Sequence, residues 1–140
     1  MAITAAICNS YKQEILSGTH LSSNTYKIAL DTSTATLDAT TTAYSATNEV
    51  ANGNGYTTGG ATLAGFTTGA TGGTVWLDFS TDPTWPTSTI TARGALIYNS
   101  SVSNKAVCVL DFGSDIVSTN GTFTVQFPTA DSTNALIRIT

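Results

Sequence analysis

Thr74-Val75-Trp76-Leu77-Asp78-Phe79 alternates without a break. Val75, Leu77 and Phe79 fall on one side of an extended chain, and Trp76 and Asp78 fall on the other. A period of two over this length marks a strand with one face in a core. Thr122-Phe123-Thr124-Val125-Gln126-Phe127 repeats the pattern. Between and around these runs lie further extended stretches at Thr62–Thr67, Ser88–Tyr98, Ala106–Phe112 and Ala135–Ile139. Turn residues separate them: Gly69 to Gly73, Asp82-Pro83, Trp85-Pro86, Ser118 to Gly121 and Thr129 to Asn134. Many short strands with dense turns predict a mainly β, antiparallel sandwich, jelly-roll-like in form.

Upstream of this block the chain changes character. Tyr26-Lys27-Ile28-Ala29-Leu30 is one more alternating strand. Before it, Ile7, Tyr11, Ile15 and Leu16 approximate one helical face, Asn9 or Ser10 can cap it, and Gly18 is a natural stop. This predicts a short N-terminal helix over 10–17. Thr32–Gly60 shows no sustained period and holds the Asn52-Gly53-Asn54-Gly55 reversals. It reads as a long loop excursion outside the sheet core, of the kind that carries function or meets a partner. With 140 residues the chain is expected to form a single β-rich domain over 1–140.

Charge is scarce. Charged residues make up 10% of the chain, against about a quarter in ordinary domains. Threonine and serine supply 42 of the 140 residues instead. Threonine suits solvent-facing strand positions, because its branched Cβ favours extended backbone while its hydroxyl stays hydrated. A net charge of −4, with only Lys12, Lys27, Arg93, Lys105 and Arg138 as fixed cations, opposes binding to a phosphate backbone. No apolar run reaches membrane-spanning length, and the start lacks the basic and apolar regions of a signal peptide. No nucleic-acid or membrane partner is therefore expected. Cys8 and Cys108 are either one bridge or two small buried hydrophobes, and the apolar run around Cys108 favours burial.

The chemistry-bearing residues are few. Asp78 with Asp82, and Asp111 with Asp115, are the only close acid pairs resembling a glycosidase couple, and strand-end carboxylates serve more often as backbone acceptors. The aspartates Asp31, Asp38, Asp111, Asp115 and Asp131 never form a calcium-loop spacing. His20, the only histidine, reads as a surface or interface residue. The glycines at 53, 55, 59 and 60 lack the lysine of a phosphate loop and read as turns. Asn99-Ser100-Ser101 and Asn120-Gly121-Thr122 fit the glycosylation acceptor pattern. No catalytic, metal or cofactor site is expected, and the chain is not expected to be an enzyme. Aromatic residues are the remaining candidates: Tyr44, Tyr56, Trp76 and Trp85 are expected at a protein interface, with a sugar platform as the competing role. Trp85, between Pro83 and Pro86, is the foremost of them.

Several runs resemble a group of small virion proteins of tailed bacteriophages, particularly those of cyanophages and related marine or freshwater phages. The runs are Tyr11-Lys12-Gln13-Glu14-Ile15-Leu16-Ser17-Gly18, Tyr26-Lys27-Ile28-Ala29-Leu30, Thr40-Thr41-Thr42-Ala43-Tyr44-Ser45 and Asn48-Glu49-Val50. They continue with Gly55-Tyr56-Thr57-Thr58-Gly59-Gly60, Ala92-Arg93-Gly94-Ala95-Leu96-Ile97-Tyr98-Asn99 and Val109-Leu110-Asp111-Phe112-Gly113. The resemblance implies a structural viral protein: a capsid decoration or cement protein on the outer surface of the phage head. Its partner would be the major capsid protein, and it would act as a homo-oligomer, a trimer being the form expected where three capsomers meet. A tail or tail-fibre component, with a carbohydrate-binding role, is the alternative.

Overall fold

The protein, a computed structural model describing residues 2–140, runs in the order β1 (Ala6–Ile7), α1 (Asn9–Leu16), β2 (Tyr26–Asp31), β3 (Ala61–Thr62), β4 (Ala64–Thr71), β5 (Thr74–Thr81), β6 (Thr84–Asn99), β7 (Lys105–Thr124) and β8 (Ile137–Ile139). The larger sheet has the order β1-β7-β6-β2-β3 and the smaller β4-β5-β8. Every pairing within them is antiparallel. The result is a mainly β, two-sheet domain with a short N-terminal helix.

The long hairpin β6–β7 is the spine. Its central residues, Ala95 to Tyr98 and Ala106 to Val109, are all buried. A strand buried on both faces reads as a continuous apolar run, as here. One face meets the smaller sheet. Tyr26 on β2 stacks on Phe66 of β4 at 5.5 Å and meets Phe79 of β5 at 5.8 Å. Phe79 in turn meets Phe127 at 6.0 Å. The other face is covered by the Thr32–Gly60 segment. Ala35, Val50 and Tyr56 in that segment are core residues. The excursion is thus a third layer of the domain and not an appendage beside a finished core. Its apolar residues are too sparse to show a period, which is why the sequence hides this.

Ser118 to Gly121, predicted as a turn, lies inside β7, which runs on past the expected strand end at Phe112. Between Ala92↔Ile116 and Gly94↔Asp111 the spine steps two residues on β6 and five on β7. Gly113 at φ 83° and Asn120 at φ 48° supply the positive φ that such bulges use. Glycine and asparagine signal a reversal or a bulge with the same chemistry, and here they bulge. Trp85-Pro86 is likewise within β6, beside a register shift.

The helix begins one residue earlier than expected. Cys8 is its N-cap and gives no side-chain cap bond. Its end follows the expectation: Gly18 takes φ 75°, its N–H bonds the Ile15 carbonyl, and Thr19 N–H bonds the Glu14 carbonyl. That is a Schellman closure. Tyr11 is buried, whereas Leu16 is 89% exposed and belongs to the solvent face. Cys8 and Cys108 are free, buried thiols.

Gly69 and Trp76 are cross-strand partners in the smaller sheet. A Cβ on Gly69 would stand 2.3 Å from Trp76 Cζ2, so the indole occupies the space a side chain would need. Gly69→Val is expected to displace Trp76 and cost about 1–3 kcal/mol. Denaturant unfolding with tryptophan fluorescence checks this, and an unchanged midpoint and spectrum would contradict the packing.

Candidate functional site

Backbone bonds such as Val50 N–H to the Leu30 carbonyl and Tyr44 N–H to the Asn104 carbonyl hold the excursion to the sheet, and one carboxylate gathers its side chains. Glu49 Oε1 accepts hydrogen bonds from the Tyr56 hydroxyl at 2.6 Å and the Gly59 N–H at 2.7 Å. Its Oε2 accepts from the Tyr44 hydroxyl at 2.7 Å. The Tyr56 oxygen also accepts from Leu30 N–H at 2.9 Å, joining the loop to β2. Tyr44 stacks on Tyr98 of β6 with ring centroids 4.5 Å apart, and the Tyr98 hydroxyl donates to the Gly59 carbonyl at 2.7 Å. Burial, followed by the bond to Glu49, pushes the Tyr44 and Tyr56 phenols well above their ordinary range. These hydroxyls stay protonated and act as donors.

Asp31 ends β2, paired across the sheet with Gly94 and bridged on its other side to Glu49. It is 4% exposed. Burial, and then the nearby Glu49 charge, push its carboxyl up to about 7. No donor among the described residues bonds it. It lines a cavity of about 480 Å³ between the excursion and β6. Ala35 and Leu96, which line the cavity with it, are buried, while Thr34, Thr36 and Thr42 at the rim are exposed. An unpaired carboxyl in a hydroxyl-rimmed cavity can accept a cation or a hydroxylated group, and it carries the chemistry of this site.

The aromatic candidates are placed differently from the expectation. Tyr56 and Trp85 are core residues at 2% and 5% exposure. Trp85 meets Phe123 edge-on at 5.9 Å and Tyr56 at 6.0 Å. The ring points inward against these two partners, so the proline-flanked segment does not present it. Tyr44 is half-buried on Tyr98, and Trp76 is half-buried on Gly69, with its Nε1 meeting no acceptor. Of the four, only Tyr44 and Trp76 keep part of their surface open.

The acids act on backbone. Asp78 is fully buried and accepts from Phe79 N–H at 2.7 Å and Leu136 N–H at 3.1 Å. Asp82 accepts from Phe127 N–H, and Asp111 from Arg93 and Gly113 N–H. His20 is not at the surface. Its side chain is 1% exposed, and Nε2 faces Glu14 at 3.1 Å. Asn99 Nδ2 lies 3.1 Å from its Nδ1, which therefore accepts. Tyr11 covers the ring at 4.7 Å. Burial raises the Glu14 pKa, but hydrogen bonds from Lys105 and His20 outweigh it, so the carboxyl lies below its usual range. Asn99 itself is fully buried, which puts its glycosylation pattern out of reach. Among the described residues no three His, Cys, Asp or Glu side chains gather as metal ligands. Sequence reasoning weighed Asp31 only as a calcium ligand and gave Glu49 no site role. The only available signal was an acid closing an apolar strand, and the partner lies across a loop.

No family model, curated protein or solved structure matches the chain.

Two variants separate the two acids. Glu49→Ala leaves Tyr44, Tyr56 and Gly59 without their acceptor. It is expected to cost about 2–4 kcal/mol, with faster amide exchange across the excursion; unchanged exchange there would remove Glu49 as the tie. Asp31 behaves in the opposite sense. Unfolded, it loses its proton near 3.8; folded, it keeps it to about 7. Between those values the native state holds the extra proton, so stability falls as pH rises. Asp31→Asn should match wild type near the low end of that window. At pH values above 7 it should exceed wild type by on the order of 1–4 kcal/mol. Urea unfolding across pH checks this, and a variant less stable than wild type at high pH would overturn it.

Proposed function

We propose that this protein is a non-enzymatic structural protein of a tailed-phage virion, which binds the outer surface of the capsid and stabilises it as a cement or decoration protein. One observation carries the reading beyond the resemblance. Past Val109 the outer edge of β7 pairs with no strand among the described residues. From Ile116 to Thr124 that edge holds no charge and no proline. Ile116 and Val117 are 43% and 61% exposed on it. Proteins that stay apart blunt such edges with charge, proline, bulges or cover, and of these the segment has only the bulge at Asn120. A bare edge favours strand addition or broad contact with other protein. The small share of charge lowers the desolvation cost of such a contact. Repeated copies on a lattice make weak single contacts effective.

On this reading the two sheets form a jelly-roll-like sandwich whose β7 edge faces the major capsid protein. Copies associate as a homo-oligomer, a trimer where three capsomers meet. The Thr32–Gly60 layer and Tyr44 lie at the contact. The alternative, a tail or fibre module that binds carbohydrate, draws less support from the packing, because Trp85 is buried and Trp76 is held on Gly69.

Cryo-electron microscopy of whole particles is the test. Copies over every capsomer are expected, and density confined to the tail axis would reject the head location. The double variant Ile116→Lys, Val117→Lys changes only exposed side chains, so folding should move by no more than about 0.5 kcal/mol each. Its occupancy on heads should drop at least about tenfold; full occupancy would show that this edge is not the contact.

A further inference from the structure

We propose that the cavity floored by Asp31 binds a primary alkylammonium group, the chemistry of a lysine side chain or of a small free amine. The reason lies in what surrounds the carboxyl. Asp31 is 4% exposed and lines this cavity, and no donor among the described residues bonds its carboxyl. A buried carboxylate without a partner is among the costliest groups a fold can hold, and a cation brought to it removes that cost. Among the described residues no lysine, arginine or histidine lines the cavity, so none of them supplies the counter-charge.

The shape selects the kind of cation. A volume of about 480 Å³ is far more than a bare ion fills. Hard metal ions also want several oxygen ligands, and Asp31 is the only carboxylate on the wall. Ala35, Leu37 and Leu96 offer apolar surface for a methylene stem. The exposed hydroxyls of Thr36 and Thr42 can accept ammonium protons that Asp31 leaves free. No aromatic ring lines the wall, so a sugar would lack its stacking face. Glu49, bridged to Asp31, adds negative potential and does not compete for the guest, because its oxygens already hold Tyr44, Tyr56 and Gly59.

The inference does not rest on the capsid reading, since it is tested on the isolated full chain. Carbon- and nitrogen-labelled protein is titrated at pH 8 with n-butylammonium, with Nα-acetyl-lysine methylamide and, as a neutral control, with n-butanol. Saturable shifts confined to Asp31, the 34–48 segment and Leu96 are expected for both amines and not for butanol. Asp31→Asn, which keeps the side-chain shape, should weaken amine binding at least about tenfold. Amine saturation should also lower the Asp31 titration midpoint from about 7, read at its own carboxyl carbon so that Glu49, Tyr44 and Tyr56 around it are not confused with it. Tighter binding of the lysine derivative assigns the guest to a partner protein's side chain; tighter binding of butylammonium assigns it to a free amine. No saturable shift with either amine, equal binding of butanol, or undiminished binding by Asp31→Asn overturns the proposal.

Discussion

Glu49 gathers the layer that covers the larger sheet. A two-sheet domain needs cover on the outer face of its larger sheet. Here that cover is a segment with almost no regular structure. Such a segment loses much conformational entropy when it is fixed, on the order of 1–2 kcal/mol per residue, and its few apolar residues return little of it. One carboxylate gathering two tyrosine hydroxyls and a backbone N–H concentrates the return at one point. Hydrogen bonds to a charged group are roughly twice as strong as neutral ones. The Tyr44–Tyr98 stack and the Tyr56–Leu30 bond then hold the segment to β6 and β2.

Scarcity of charge shapes the rest. With few ion pairs available, polar satisfaction falls to hydroxyls, amides and backbone. Ser88 shows the pattern: its hydroxyl is shared between the Trp85 and Gly121 carbonyls and Ser118, across a register shift of the spine. Asp78 spends its carboxylate on two backbone N–H groups. Asn99 joins Asn24 and His20 across a long sequence gap. Asp78, Asp82, Asp111 and the histidine are thus consumed as structural acceptors and donors, the role that strand-end and turn positions favour.

The strands at Tyr26–Leu30 and Thr74–Phe79 were legible from alternation, as were the inward Phe123, Val125 and Phe127, but burial does not follow the period in the first two: β2 is buried on both faces, and in β5 Val75 is 52% exposed while Asp78 is fully buried. The helix end at Gly18 was legible from one residue. The continuity of β7 was not, since Gly113 and Asn120 carry the same backbone signal in a bulge as in a turn. The candidate site was almost wholly hidden. Asp31 and Glu49 meet only because the chain returns after the Thr32–Asn48 stretch, and no local pattern reports that return. Aromatic type and flanking prolines suggested exposure for Trp85, but a ring that large is decided by the neighbours it finds across the sheet, Phe123 and Tyr56.

Asp31, buried, and Glu49, half-buried, stand side by side and illustrate two uses of an acid. Glu49 is fully partnered and stabilises the layer that surrounds it. Asp31 has no partner, and its ionisation works against the fold. An asparagine there would keep the shape and remove the cost, so packing alone gives no reason for aspartate. A destabilising group held in a cavity that solvent can enter is the kind of local conflict that functional sites retain. The bare β7 edge is a second conflict of the same kind, because an uncharged open strand invites association. One asks for a cation and the other for a strand or an apolar surface. On the readings proposed above, both are surfaces that a guest from outside the chain would complete.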